Sequence, residues 1–307
     1  MVVLGRVLLV AGNSNPELAR EMAKCMKTKL GKLSFSRFPD FESYCRFEEP
    51  PTDKHVFIIQ STHCPANENL MELLIAIDAA KNSGAKKVTA VIPYYGYARQ
   101  DRQAKPGEPV TAALVAKLLK SAGADSIITM DLHSKAVEKA IKMKKVHLHA
   151  YPALAEFFKK RNIKNLCIVA PDKGALRNAK RYAKALGAKT AFIEKKRKSA
   201  TEVEAMSISR DVNGLNCLII DDIISTAGTI CEGASMLKSL GARGIYVAAT
   251  HGVLAGKAIE KLKEATIKEV IVTNTIPQGD NKRRLKKLRV VSVAKLFSDA
   301  INAMSKN

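Results

Sequence analysis

An α/β fold in two tandem domains, each with a mainly parallel central sheet, is what this sequence predicts, on three observations. The chain has 307 residues, room for two domains of about 150 residues each. Apolar, strand-like runs alternate with helical stretches along its whole length, the pattern of helices packed on a parallel sheet. The helices also close in one recurrent way, with Gly-Ala at Gly84, Gly123, Gly187 and Gly241, each followed within a few residues by an apolar run.

The strand-like runs are Val7 to Val10, Val56 to Gln60, Val88 to Pro93, Ser126 to Met130, Leu166 to Ala170, Cys217 to Ile220 and Ile245 to Thr250. Between them, a glycine just past each helix can take the left-handed conformation that closes the last turn. The stretch GAKKV from Gly84 matches GARGI from Gly241, 157 residues further on, and reads as an internal duplication. The expected division is a first domain over 1–148, a second over 149–293, and a helical tail over 294–307 that returns to the first domain.

A content of 47% hydrophobic and 26% charged residues is that of an ordinary globular chain. The formal net charge of +22 attracts polyanions such as nucleotides or nucleic acid without choosing between them. Its short basic clusters, at Lys142 to Lys145, Lys159 to Arg161, Lys195 to Lys198 and Lys282 to Arg289, read one by one as solvated faces. The six cysteines show no C-x-x-C spacing and the chain opens with no basic, apolar and small-residue leader, so zinc has no support and a cytoplasmic location is expected. No apolar run nears the roughly 18 residues of a membrane span.

In sheets of this type ligands bind beyond the carboxyl ends of the strands, so the residues that follow the apolar runs carry the functional reading. The most specific string is CLIIDDIISTAGTI: a strand, the adjacent acids Asp221 and Asp222, then Ser225, Thr226, Ala227, Gly228 and Thr229 leading into a helix. A small, hydroxyl-rich turn before a helix presents backbone N–H groups and the positive end of the dipole to a phosphate. Adjacent carboxylates can accept hydrogen bonds from a vicinal diol or help to order magnesium. The plainer alternative is a polar strand end with Ser225 or Thr226 as a helix cap.

After the Val88 run comes PYYGYARQDR, where Arg99 and Arg102 can reach phosphates and Gln100 a base edge or a phosphate oxygen; Tyr94, Tyr95 and Tyr97 read as packing residues. TMDLHS ends a strand with Asp131 and His133, and VAPDKGA sets Asp172 after another. An imidazole and a carboxylate suit a magnesium site, although a lone histidine is more often a hydrogen-bonded core or surface residue. AFIEKKRKSATE gathers Lys195, Lys196, Arg197 and Lys198, which alone reads as a solvated turn or a nucleic-acid patch.

Taken in order, these strings resemble the ribose-phosphate pyrophosphokinase (phosphoribosyl pyrophosphate synthase) family. CLIIDDIISTAGTI is similar to the ribose-phosphate loop that the family shares with phosphoribosyltransferases, and YGYARQDR to an ATP-binding segment that ordinary phosphoribosyltransferases lack. The resemblance runs from about Arg6 to Val293 and implies two tandem phosphoribosyltransferase-like (type I) domains. It implies transfer of the β,γ-diphosphoryl group of ATP to the 1-hydroxyl of ribose 5-phosphate. In that scheme Arg99 and Gln100 bind ATP, and His133 and Asp172 hold Mg2+ on its phosphates. Lys195 and Arg197 form a Lys-x-Arg pair over the leaving phosphate, on a flexible loop. Asp221 and Asp222 take the ribose hydroxyls, with Ser225, Thr226, Ala227, Gly228 and Thr229 around the 5-phosphate.

The string FPDFESY resembles the family's adenine-contacting hairpin. It implies that Phe38, Asp40 and Glu42 complete the ATP site of a neighbouring subunit in a homo-oligomer, at least a dimer, with no specific nucleic acid or membrane partner. Three departures stand out. Phe41 replaces a glycine between the two acids, Ser225 stands where many relatives have an acid, and Ser134 to Tyr151 departs from an aromatic and glycine-rich segment tied to allosteric phosphate binding. Two rivals remain: a phosphoribosyltransferase, which leaves the ARQD segment without a role, and a non-catalytic regulatory protein, against which the presence of His133, Lys195 and Arg197 speaks.

Overall fold

The computed structural model describes residues 6–196 and 205–306, and the chain divides into two compact units. One comprises Met1–His149, Thr275–Pro277 and Ser292–Asn307; the other comprises Ala150–Asn274 and Gln278–Val291. The division falls within a residue of the expected start of the second domain, but two later segments count with the first unit.

In the first unit β1 (Val7–Ala11) leads to α1 (Pro16–Cys25), whose N-terminus is closed by the Asn15 side chain accepting from Leu18 N at 3.3 Å. After β2 (Leu30–Gly31), β3 (Leu33–Arg37) and β4 (Ser43–Phe47) form a separate antiparallel hairpin. The unit continues with β5 (His55–Ile59), α2 (Ala66–Asn82), β6 (Lys87–Ile92), α3 (Thr111–Ser121), β7 (Ser126–Met130), α4 (Lys135–Ala140) and β8 (Lys144–Leu148). Its six-stranded sheet has the order β2-β1-β5-β6-β7-β8 and every pair in it is parallel. Strands covered on both faces must be apolar on both, and Val56, Phe57, Ile58 and Ile59 are all fully buried.

The second unit runs through α5 (Tyr151–Arg161), β9 (Leu166–Ala170), α6 (Leu176–Leu186), β10 (Lys189–Lys196), β11 (Ala205–Ile208), β12 (Asn216–Ile224) and α7 (Gly228–Ser239). It ends with β13 (Gly244–Gly252), α8 (Ala258–Glu264), β14 (Glu269–Thr273), α9 (Asn281–Arg284) and β15 (Leu288–Val291). Its sheet has the order β11-β10-β9-β12-β13-β14-β15, and only the β10–β11 pair is antiparallel.

Leaving β11 aside, the two sheets have the same strand order, with β1 matched by β9, β5 by β12, β6 by β13 and β8 by β15. The GAKKV and GARGI matches open β6 and β13, which are equivalent strands, as an internal duplication requires. The glycines at the Gly-Ala closures all have positive φ, between 60 and 107°. The last helix, α10 (Ala294–Ser305), belongs to the first unit. Its Phe297 and Ile301 are fully buried, and Ser298 Oγ donates to the Met22 carbonyl of α1 at 3.2 Å. Among the described residues no helix is long and apolar enough to cross a membrane.

Candidate functional site

The first unit presents its site beyond the carboxyl ends of β6 and β7. Tyr94 and Tyr95, just after β6, are buried, and the Tyr95 hydroxyl donates to the Ala112 carbonyl at 2.9 Å; burial pushes that phenol well up. Gly96 N donates to Thr62 Oγ1 at 2.7 Å. A Cβ at Gly96 would lie 2.2 Å from the Thr62 carbonyl oxygen, so only glycine lets the chain turn there. The tyrosines thus pack, as read, and they anchor the loop that follows.

That loop lines a cleft of about 620 Å3 with Arg99, Gln100, Asp101, Arg102 and Glu108, and His133 reaches the same cleft from beyond β7. Thr111 Oγ1 donates to Gln100 Oε1 at 2.6 Å, which leaves the carboxamide N–H2 as the group that can meet a ligand acceptor. The Glu108 carboxylate accepts from Ala104 N and Lys105 N at 2.9 and 3.0 Å and so shapes the loop. The sequence-predicted Arg99, Gln100 and His133 are brought together. Glu108 had no sequence signal of its own, because its work is to tie backbone three and four residues earlier.

The turn that carries His133 holds Asp131 at a φ of 38°. His149 Nδ1 lies 2.7 Å from Asp131 Oδ1, and Leu132 N donates to His147 Nε2 at 3.0 Å. Ligand atoms of Asp131, His147 and His149 lie within 4.8 Å of one another. Burial and the nearby His149 hold the His147 pKa below its ordinary value. This cluster was not read from the sequence, although the alternation in KVHLH was its available signal.

At the β3–β4 turn, Phe38 N donates to the Glu42 carbonyl at 3.0 Å and Glu42 N to Asp40 Oδ1 at 3.2 Å. Phe38 and Phe41 are 51% and 75% exposed at the tip, and Phe38 meets Tyr44 edge to face at 5.7 Å. Phe41 has a φ of 70°, a conformation that favours glycine. The backbone at this position suits a glycine, and this chain bears a strained phenylalanine there.

In the second unit, Asp172 lies beyond β9, where its Oδ1 accepts from Ala175 N at 2.9 Å. Asp221 and Asp222 lie in β12, and Asp222 N donates to Asp221 Oδ1 at 2.8 Å. Burial pushes the Asp221 acid well above the carboxylate range, and the adjacent Asp222 and the charge of Asp172 add to the push. β9 and β12 are neighbours in the sheet, so the three acids form one locus. Ser225 and Thr226 then turn the chain into α7 through Ala227, whose φ is 62°. The N-cap of α7 is Ala227 and no side chain caps the helix, so no capping hydroxyl takes its first N–H groups. That corrects the plainer alternative in which Ser225 or Thr226 caps the helix.

Lys195 lies inside strand β10, paired with Met206 of β11, where a loop position was expected. Arg197 falls outside the described residues.

Fold and strand-end sites together define a tandem pair of phosphoribosyltransferase-type α/β units, with an arginine-lined cleft in one and an acid pair followed by a small, hydroxyl-bearing turn in the other. Two family models match the chain: the N-terminal domain of ribose phosphate pyrophosphokinase over residues 7–123 and the phosphoribosyl synthetase-associated domain over residues 199–307. A ribose-phosphate pyrophosphokinase of Clostridium perfringens is 45% identical over 96% of this chain and 93% of its own. Another, from Caldanaerobacter subterraneus subsp. tengcongensis, is 46% identical over 95% and 93%. The crystal structure of phosphoribosylpyrophosphate synthetase from Mycobacterium smegmatis superposes with a TM-score of 0.91 at 38% identity, covering 98% of this chain and 99% of that one. The chain belongs to the ribose-phosphate pyrophosphokinase family of enzymes.

Proposed function

We propose that this chain transfers the β,γ-diphosphoryl group of ATP to the 1-hydroxyl of ribose 5-phosphate, giving phosphoribosyl pyrophosphate and AMP. The observation that carries this reading over a phosphoribosyltransferase is the first-unit cleft, in which Arg99, Gln100, Arg102 and His133 converge. A transferase acting on the finished sugar diphosphate has no use for it. In the reaction the 1-hydroxyl oxygen bonds to the β-phosphorus, the bond from that phosphorus to the α,β-bridging oxygen breaks, AMP carries that oxygen away, and the hydroxyl proton is lost.

The guanidinium groups of Arg99 and Arg102 draw in the phosphates, and the Gln100 carboxamide orients the nucleotide. Asp221 and Asp222 accept from the ribose hydroxyls, and the backbone turn from Ser225 to Thr229 takes the 5-phosphate. Lys195 and Arg197 stabilise charge on the departing phosphate. Asp221, pushed upward chiefly by burial and further by Asp222 and the charge of Asp172, belongs to a carboxylate group that fits magnesium, for which the family resemblance assigns Asp172 and His133 as ligands. Magnesium would supply charge neutralisation on the transferred phosphates.

The exposed Phe38 and Phe41 support a homo-oligomer in which the hairpin tip, with Phe38, Asp40 and Glu42, completes a neighbour's adenine pocket. Six free thiols suit a cytoplasmic setting. Phosphorus NMR of the protein with ATP, Mg2+ and ribose 5-phosphate tests the reading: AMP and a new sugar diphosphate are expected, and turnover only on adding a base to preformed sugar diphosphate would replace it with the transferase.

A further inference from the structure

We infer that His147 and His149 are positioning residues, gripping the Asp131–His133 turn from the neighbouring strand so that His133 meets the metal–nucleotide at a fixed angle. This rests on the assignment of His133 to the metal in the proposed function. The residues lie in the segment that departs from the family pattern, so no role for them comes with the resemblance.

The grip is built by the register of two parallel strands. Thr129 pairs with His147 and Met130 with Leu148, and Asp131 N extends the ladder by donating to the Leu148 carbonyl at 2.9 Å. One residue further, Leu132 N donates to His147 Nε2 at 3.0 Å. The carboxylate of Asp131 meets His149 Nδ1 at 2.7 Å. The two rings, two residues apart in sequence, stand 4.8 Å apart, as same-side residues of an extended chain do. On its other edge His147 Nδ1 lies 3.5 Å from Glu138 Oε2 of α4, which orients the ring so that its Nε2 lone pair faces the turn. Both residues preceding His133 are therefore held, one by a side chain and one by its backbone N–H. The φ of 38° at Asp131 is a conformation that persists only where the surroundings over-determine it.

Two imidazoles and a carboxylate could also suit a transition metal. In this cluster, however, a backbone N–H already takes one His147 nitrogen and a carboxylate lies beside the other. Coordination through His147 would have to break one of those contacts. Leu132 gains its partner from His147 of β8, and Asp131 gains its partners from Leu148 of β8 and from His149 just past it, so each ring already has a structural contact in the turn.

The test exploits the geometry of the imidazole: glutamine places an acceptor near the Nε2 position and asparagine a donor near the Nδ1 position, whereas leucine offers neither. Binding of α,β-methylene ATP, which cannot be cleaved at the reacting bond, is measured by calorimetry with Mg2+ and with EDTA, on variants whose thermal melts show them folded. His147→Leu and His149→Leu are expected to weaken the magnesium complex about tenfold, the lower end of what outer-shell partners of metal ligands cost. His147→Gln and His149→Asn are expected to restore it to within about threefold on the same scale, and metal-free binding is expected to be equal throughout. Leucine variants that bind as the parent does, losses that are the same in EDTA, or Gln and Asn variants as weak as Leu would each overturn the clamp. So would one equivalent of Co2+ bound without nucleotide and lost in His147→Gln, which would mark a metal site instead. His133→Ala, run alongside, separates the two levels: if it binds the magnesium complex normally, the assignment of His133 falls and the clamp with it. If it fails to bind while the leucine variants bind normally, the clamp alone falls.

Discussion

At the end of β12, burial and the charges of Asp222 and Asp172 push the Asp221 acid above its ordinary range, and this sets function against stability at one atom pair. A carboxyl whose pKa is higher in the folded chain costs nothing below its unfolded value, about 3.9. The cost grows as pH rises past that value and is complete once pH exceeds the folded one. Asp221→Asn is therefore expected to melt higher than the parent at alkaline pH and equally at about pH 3.5, while binding ribose 5-phosphate more weakly. Differential scanning calorimetry at the two pH values checks it, and equal melting at both would show that the acid carries no such strain. Lys195 and Arg197 make a second residue-scale case. A preorganised donor that acts mainly in the transition state is worth about 2.7 to 4 kcal/mol, roughly a hundred- to a thousand-fold in turnover. Steady-state kinetics is expected to show that loss for Lys195→Ala and Arg197→Ala but not for Lys196→Ala, whereas a merely solvated basic turn gives three small, equal effects.

Among the elements, the β3–β4 hairpin sets a backbone demand against the residue that meets it. Phe41 sits at a φ of 70° with its ring 75% exposed, so Phe41→Gly removes strain and gives up little packing. A non-glycine residue in this region costs about 1 to 2 kcal/mol, partly offset by the entropy glycine loses. A gain of about 0.5 to 1 kcal/mol on chemical denaturation is the expected net, and destabilisation would mean that the ring is packed after all. The same contrast explains what could be read from sequence. The interior strands were legible because burial on both faces writes them as continuous apolar runs: Cys217 to Ile220 and Val56 to Ile59 are buried without a break. β8 was not, because KKVHL is an edge strand whose polar side chains serve the neighbouring turn. EVIVT of β14 is an apolar run that the sequence reading passed over, and it lacks the Gly-Ala closure that precedes β6, β7 and β13. In the site, Arg99 was legible by type, as a guanidinium just past a strand, whereas His133 gained its assignment only from the family resemblance. Glu108 acts by tying backbone three and four residues earlier, a role its residue type does not announce, and His149 depends on the register of β7 and β8, which the alternation in KVHLH alone does not fix.

For the whole molecule, a net charge of +22 and an apolar hairpin tip make opposite demands on assembly, since like-charged copies repel while the exposed rings favour contact. Assembly is expected to tighten with added salt as the repulsion is screened. Turnover per chain is expected to fall on dilution as the neighbour's hairpin is lost. Sedimentation velocity combined with activity across a dilution series checks both, and a fully active monomer would refute the shared pocket.

The last helix gives the chain an order of completion. α1 shows its buried face, Leu18, Ala19, Met22 and Ala23, to a unit that also contains α10, the final structured segment before the terminus. During synthesis the amino-terminal half emerges first, yet α10, whose Phe297 and Ile301 belong to the same unit, is made only after the whole of the second unit. The second unit, bounded by Ala150 and Val291, has no such delay. The half that starts first is therefore the half that finishes last, because Met22 and Ser298, joined by a hydrogen bond, stand 276 residues apart.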